Sequence, residues 1–214
     1  MISNNLIKLN PDNKEHVEAV SKLHISLLPE SIVSKLGFFF LSNFYYKALT
    51  KNNLIDVFLY KYNNNYVGFI SCTDYPFTFM KIGIKLHFLR LSIVLLISIL
   101  LKPNRILFLL RMRDDLNLNF IQKKYGENIG QFMSFGVLEK FRKHIDENTK
   151  LTIANVLMRK VFSHFRYKNK HLFFLLVLKT NNNAITFYKK YNGVFLFDNK
   201  SKSAIVKFDL YDQQ

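Results

Sequence analysis

Apolar residues fall along this chain in short runs of strand length, in longer stretches with helical spacing, and in one segment that is apolar almost throughout. Leu6–Leu9 predicts a short strand ended by Asn10–Pro11. Asn13 caps a helix with apolar residues at Val17, Val20, Leu23, Leu27 and Leu28, closed by Pro29. Ser31 opens a second helix, Ile32–Leu49, whose middle is aromatic: Phe38, Phe39, Phe40, Phe44, Tyr45 and Tyr46. Ile55–Tyr60 and Tyr66–Thr73 predict strands joined by a polar turn, Lys61–Asn65. Gly68, inside the second strand, marks a close approach of backbone or ligand, or a bulge. Further on, Gln131–Val137 predicts a strand, Asn155–Lys168 a helix and Leu172–Leu178 a buried strand stopped by Lys179–Asn183. Ala184–Tyr191 has helical spacing, with Ala184, Phe187, Tyr188 and Tyr191 near one stripe, and Asn192–Gly193 ends it. Phe195–Phe197 and Ala204–Tyr211 then predict a hairpin with a polar turn at Asp198–Ser203.

Residues 76–113 interrupt this alternation. Leu91–Leu101 is apolar apart from Ser92 and Ser98 and is bounded by Arg90 and Lys102–Pro103. A second apolar helix, Ile106–Leu110, ends at Arg111 and Arg113. Neither is long enough to span a bilayer, which takes about 20 residues. Residues 75–113 hold Lys81, Lys85, Arg90, Lys102, Arg105, Arg111 and Arg113 and no acid. Three readings fit: a helical hairpin buried against the core, a homodimer interface, or a basic apolar element over 81–113 lying at an anionic membrane surface.

Composition narrows the class. With 214 residues, 49% of them hydrophobic, the chain suits a single domain, 1–214, with 76–113 as a helical insertion. A lone cysteine, Cys72, rules out a disulfide framework, and MISNNLIKLN lacks the charged-then-apolar pattern of a secretory signal. A cytoplasmic location is expected, peripheral at the inner face of the membrane if 81–113 docks there. The net charge of +16 demands an acidic partner or surface. Residues 138–170 carry nine Lys/Arg against Glu139, Asp146 and Glu147. No zinc finger, helix-turn-helix or RNA-recognition strand is present, so nucleic acid is not the expected partner. Zinc-ligand spacing, a Gly-x-Ser-x-Gly elbow, a Walker loop and a Rossmann fingerprint are also missing from the sequence, so no metal is expected.

Two stretches carry a resemblance. The order strand, Asn, Ala, Tyr in LLVLKTNNNAITFYKKYNG (Leu175–Gly193) resembles the C-terminal half of the GNAT acyltransferase superfamily. The segment VSKLHISLLPESIVSKLGFFFLSNFYYKAL, followed by NNNYVGFI, is similar to a subgroup frequent among surface-polysaccharide biosynthesis proteins. The resemblance covers the chain except residues 76–113. It implies a mixed α/β (α+β) fold with a mostly antiparallel central sheet flanked by helices. It also implies an acyl-CoA-dependent N-acyltransferase, with acetyl-CoA or a related thioester as co-substrate and a small amine, such as an amino sugar or nucleotide sugar, as acceptor. A non-catalytic membrane- or partner-binding module with a decayed CoA site is the alternative.

The resemblance also implies a site. QFMSFGV matches the family's central Leu-Ser-Ile-Ala-Val strand, so the main chain at Phe135, Gly136 and Val137 would pair with the pantetheine arm. The pyrophosphate loop that follows has two registers. Phe141–Arg142–Lys143 fits when aligned from the strand, and Thr149–Ala154 fits when aligned back from Asn181. The second keeps the helix Asn155–Lys168 at its usual length and implies a loop insertion over Arg142–Asn148. It assigns Lys150, Thr152, Ile153 and Ala154 to the phosphates, with Thr152 where the family has glycine. A positive φ at Thr152 would then cost energy and misdirect the amides, leaving Lys150, Arg142 or Lys143 to compensate with charge. By the same resemblance Tyr188 is the acid for the leaving thiolate, the Val137 amide or its neighbour polarises the carbonyl, and Asn181 and Ala184 border the pantetheine. For the base, spacing offers His24, Asp74 and His144.

Overall fold

The computed structural model describes residues 3–105, 119–196 and 201–211. Strands β1 (Leu6–Lys8), β2 (Asp56–Tyr62), β3 (Asn65–Thr73), β4 (Ile129–Val137), β5 (Leu172–Leu178), β6 (Val194–Leu196) and β7 (Ser203–Asp209) form one sheet. Its spatial order is β1-β2-β3-β4-β5-β7-β6. Every neighbouring pair is antiparallel except β4 and β5. Helix α1 (Lys14–Leu27) covers one face together with the short helices α2 (Ile32–Lys35), α3 (Phe38–Phe40) and α4 (Ala48–Lys51). The helix over Ile153–Tyr167 covers the other. Because both faces are covered, β2 reads as an apolar run and not as an alternation. Val57 and Leu59 pack with α1, while Phe58 and Tyr60 pack against the opposite helix.

The single helix predicted over Ile32–Leu49 is broken. Gly37 has φ 92°, a left-handed conformation in which no helix continues, and it separates α2 from α3. Past Phe40 the chain widens into a π turn over Leu41–Tyr45. Phe44, Tyr45 and Tyr46 are all buried. A wider turn advances each residue by a smaller angle than a regular 3.6-residue helix, so successive side chains stay on one side for longer. His24 fastens the bend. Its Nδ1 meets the Tyr46 hydroxyl at 2.5 Å and its Nε2 the Ser31 hydroxyl at 3.0 Å, and Ser31 caps α2 by accepting from the Ser34 N–H.

Asparagine does much of the turning in a chain with only 7 glycines. The β2–β3 hairpin closes through Asn63 (φ 45°) and Asn64 (φ 61°), a two-residue turn shorter than the predicted Lys61–Asn65. Asn192 (φ 57°), not Gly193, takes the left-handed position beyond the last helix. The other departures are of boundary: β4 starts at Ile129, the helix expected over Asn155–Lys168 at Ile153, and the one expected over Ala184–Tyr191 at Asn182.

Within 76–113 the chain forms α5 (Phe79–Leu86) and α6 (Phe88–Leu101), bent by 94° at His87. Neither helix is long and apolar enough to cross a membrane by itself. Helix α7 (Asn119–Tyr125) leads into β4. The predicted helix Ile106–Leu110, with Arg111 and Arg113, lies outside the described residues, as do Phe197 and the first half of the Asp198–Ser203 turn, residues 198–200.

A buried ionic cluster joins β1, β2, the end of β3 and the helix over Ile153–Tyr167. Ligating atoms of Asp56, Asp74 and His164 lie within 4.8 Å of one another. Lys8 pairs with Asp56, while His164 (3.2 Å) and Lys168 (3.4 Å) pair with Asp74. Burial raises the Asp74 carboxyl, but the hydrogen bond and charge of His164, then Lys168, outweigh it and hold the carboxyl below its ordinary value. A carboxyl depressed in this way contributes stability above its unfolded pKa, and that contribution is lost as pH falls through the folded value. Asp74→Asn should therefore lower stability by about 1–3 kcal/mol at neutral pH. In urea unfolding the gap to wild type should narrow as pH drops below 3.8, the ordinary Asp value. A gap independent of pH would show that the charge contributes nothing.

Candidate functional site

The sheet opens between its two parallel strands. β4 and β5 pair at Ile129↔Leu172, Gly130↔Phe173 and Gln131↔Phe174, and no further. One cause is visible in β4. Its register with β3 jumps from Phe132↔Cys72 to Ser134↔Ser71, so Met133 is an extra residue in a bulge that bends the strand. Beyond this point the facing edges of β4 and β5 have no strand between them. Such edges carry backbone donors and acceptors open to an extended ligand.

The gap is a cavity of about 630 Å³. Phe132–Val137 and Leu175–Leu178 form its walls, and Leu27 and Leu28, at the end of α1, close one side. Gly136 faces that side: a Cβ there would sit 2.7 Å from the Leu27 side chain, so a larger residue would push α1 outward. From the opposite ends come Arg142, Thr152, Ala154 and Asn155, and then Asn181, Asn183, Ala184, Phe187, Tyr188 and Lys190.

One end carries a helix N-terminus. Helix α8 (Ile153–Tyr167) is fifteen residues long and begins at the cavity, with Thr152 as its N-cap accepting from the Asn155 N–H. Unpaired amides and the helix dipole make such a terminus favourable to negative charge. The expected strain at Thr152 does not arise. Its φ is −65°, as an N-cap requires, and the left-handed conformation falls on Lys150 at φ 57°. Moreover, neither Lys150 nor Ile153 lines the cavity, and the Ile153 side chain is buried in the core. The cation at this end is Arg142, whose Nε also donates to the Val137 carbonyl at 3.4 Å.

Asp146 holds the approach to this helix. The carboxylate accepts from the Ser3 and Tyr60 hydroxyls and from the N–H and hydroxyl of Thr149. Its own N–H donates to the Leu151 carbonyl, and an isolated bridge joins Ile145 to Thr152. Burial raises the Asp146 carboxyl, yet these donors overcome it and leave it well below the ordinary carboxylate range. The loop Arg142–Asn148 is thereby tied to the N-terminal segment and to β2.

The other end is helix α9 (Asn182–Lys189). Asn181 caps it, its side chain accepting from the Ala184 N–H at 3.1 Å, which turns the chain out of β5. One turn further, Tyr188 packs edge-on to Phe132 and Phe208. Burial pushes the phenol well above the usual tyrosine value, so it stays a proton donor across the neutral range. Phe187 stacks on Phe135 across the gap at 5.7 Å.

None of the three candidate bases reaches the cavity. His24 is enclosed by Tyr46, Ser31 and Phe69, and burial lowers it to about 4. Asp74 is engaged by His164 and Lys168, and His144 lies on the Tyr62 ring at 4.1 Å. Among the described residues that line the cavity there is neither a carboxylate nor a histidine. Sequence reasoning missed Leu27, Leu28, Ser134 and Asn155 as wall residues and Asp146 as a loop anchor. For Asp146 a signal existed: it is one of two acids among the many Lys and Arg of residues 140–170.

No protein-family profile matches the sequence, and no curated protein is similar to it in sequence. Solved structures do match. A protein from Pyrococcus horikoshii OT3 superposes with a TM-score of 0.57 at 17% identity, over 95% of this chain and 96% of its own. A GNAT-family acetyltransferase from Staphylococcus aureus Mu50 gives 0.54 at 13% identity, over 96% and 99%. The PaiA N-acetyltransferase of Thermoplasma acidophilum, solved in complex with coenzyme A, gives 0.50 at 12%, over 95% and 97%. At these identities the likeness is one of fold, and the fold is that of the GNAT acetyltransferases.

Removing the Asp146 carboxylate leaves the Ser3 and Tyr60 hydroxyls and the Thr149 donors without their acceptor. Asp146→Ala should cost about 2–4 kcal/mol in urea unfolding and speed amide exchange over Thr149–Leu151. Exchange unchanged from wild type would show that the loop is held by other contacts. Thr152→Gly should lower stability by a few tenths of a kcal/mol and leave affinity for pyrophosphate within about threefold, since the native φ already suits a side chain. A gain above tenfold would mean that the amides are misdirected after all.

Proposed function

We propose that this chain is an acyl-CoA-dependent N-acyltransferase that transfers an acyl group, most simply acetyl, from the thioester to a small amine. The observation that supports it best is the parted pair β4 and β5, with the α8 N-terminus at one end of the gap and the Tyr188 phenol along its wall. The pantetheine arm would lie along Phe135, Gly136 and Val137 as an extra strand. The pyrophosphate would sit at Thr152, the Ile153 main chain and Ala154, with Arg142 supplying positive charge; Lys150 shapes the loop. Asn181 and Ala184 would border the arm where it nears Tyr188. Residues 76–113 form an insertion in this one domain.

The chemistry follows from those placements. The acceptor nitrogen attacks the thioester carbonyl and a C–N bond forms. A main-chain N–H at or beside Val137 donates to the developing oxyanion. As the tetrahedral intermediate collapses the C–S bond breaks, and Tyr188 gives its proton to the departing thiolate. With no carboxylate or histidine on the described cavity wall, the acceptor's own proton leaves to water. The acceptor we assign by resemblance to the amino group of a sugar or nucleotide sugar, as in proteins of surface-polysaccharide biosynthesis.

Calorimetric titration with acetyl-CoA tests the donor site: micromolar binding supports the reading, and none at millimolar CoA overturns it. Tyr188→Phe should then lower kcat about 10²-fold or more with CoA affinity nearly unchanged; unaltered turnover would remove Tyr188 from the mechanism. Finally, kcat/KM should climb with pH up to the acceptor amine's own pKa and shift when an acceptor of different pKa is used. An inflection at one pH for all acceptors would reveal a base on the protein.

A further inference from the structure

Helix α6 is apolar on both of its sides. Leu91, Val94 and Ser98 turn inward, and the helix packs against α3 and the Leu41–Tyr45 turn. Leu89, Ile93, Leu96 and Leu100, three or four residues apart, form a second stripe that is 59–77% exposed. Around it Leu86, Phe88 and Leu101 are also more than half exposed, and α5 adds Ile82 and Ile84. A helix that is hydrophobic all round is enclosed by protein or sits in lipid. Exposed apolar surface gathered on one element in this way marks an interaction site.

The charges on the same element choose the occupant. Residues 75–105 hold Lys81, Lys85, Arg90, Lys102 and Arg105 and no acid. Among the described residues, none of Lys81, Lys85, Arg90 and Lys102 takes part in an ion pair. A second copy docked through a two-fold axis would set this same basic group against itself. A nucleic acid or acidic peptide would meet the charges but leave the leucine stripe in water. An anionic lipid surface satisfies both, with acyl chains under the stripe and headgroups around the cations.

We therefore infer that α5 and α6 dock the protein on an anionic membrane, lying in the plane of the interface. The geometry sets the depth. At 1.5 Å per residue the 14 residues of α6 extend about 21 Å, short of the roughly 30 Å hydrocarbon core, and the 94° bend turns α5 away from its axis. The inner stripe is also committed to the protein, which leaves one face for lipid. This inference does not rest on the acyltransferase reading.

Sedimentation of the 214-residue chain with phosphatidylcholine vesicles, with and without phosphatidylserine, tests it. Binding should require the anionic lipid and weaken as salt rises. Lys81→Gln with Lys85→Gln should weaken it about 25-fold, from roughly fivefold per cation. The same change in net charge at Lys14 and Lys22, exposed on α1, should have little effect. Leu89→Ser, Leu96→Ser and Leu100→Ser together should abolish binding while leaving thermal unfolding unchanged, since all three side chains are exposed. Equal binding to neutral vesicles, no binding, or equal loss from the Lys14 and Lys22 changes would overturn the inference. So would a dimer in sedimentation equilibrium that the serine variant dissociates while vesicle binding persists.

Discussion

Everything at the candidate site depends on two parallel strands that stop pairing. A β-sheet is held by its ladder, and giving up ladder hydrogen bonds in a buried place is costly unless another partner takes them. β4 and β5 share three residue pairs and then diverge, steered by the bulge at Met133. The divergence exposes two backbone edges to one another, and the elements that follow each strand end beside the gap. After β4 the chain returns through the Asp146 loop to start α8 there. After β5 it turns at Asn181 to start α9 there. The site is thus a consequence of the irregularity in β4.

The surroundings hold that irregularity in place. On one face Leu27 fills the space beside Gly136, so α1 braces the bent part of β4. On the other, Phe135 stacks on Phe187 across the opening. The buried bonds of Asp146 fix the loop below. A terminus that must receive an anion gains from being held rigidly, because amides already aimed need no reorganisation when charge arrives. The ionic cluster of Asp56, Asp74, His164, Lys8 and Lys168 anchors the far end of α8 in the same way.

With glycine scarce, this chain meets several backbone demands through other residues. Left-handed positions at the β2–β3 hairpin and beyond α9 went to asparagine, whose short polar side chain tolerates them. In the loop before α8 the strained position moved to Lys150, leaving Thr152 free to cap the helix. The strain expected at Thr152 is therefore absent, because the positive φ of this loop falls on Lys150.

Local pattern determined a good deal. The strand Leu172–Leu178 and the capped helix starts at Asn13 and Ser31 could be read from runs, spacings and turn residues, because each depends on neighbours within a few positions, whereas the mixed, mostly antiparallel sheet was implied by the resemblance alone. Resemblance, not periodicity, pointed to Asn181, Ala184 and Tyr188 as a group. Tertiary structure decided the rest. The break at Gly37 and the π turn after it arise from packing Phe44, Tyr45 and Tyr46 against α1 and the sheet. His24, Asp74 and His144 were chemically plausible bases, but each is drawn to partners distant in sequence. Leu27, Arg142 and Asn155 meet at one cavity only because three separate elements converge on it, and Asp146 finds Ser3 and Tyr60 from far along the chain. Short-range order is set by the side chain's own backbone and nearest neighbours, whereas the site is made of contacts between residues that the sequence keeps apart.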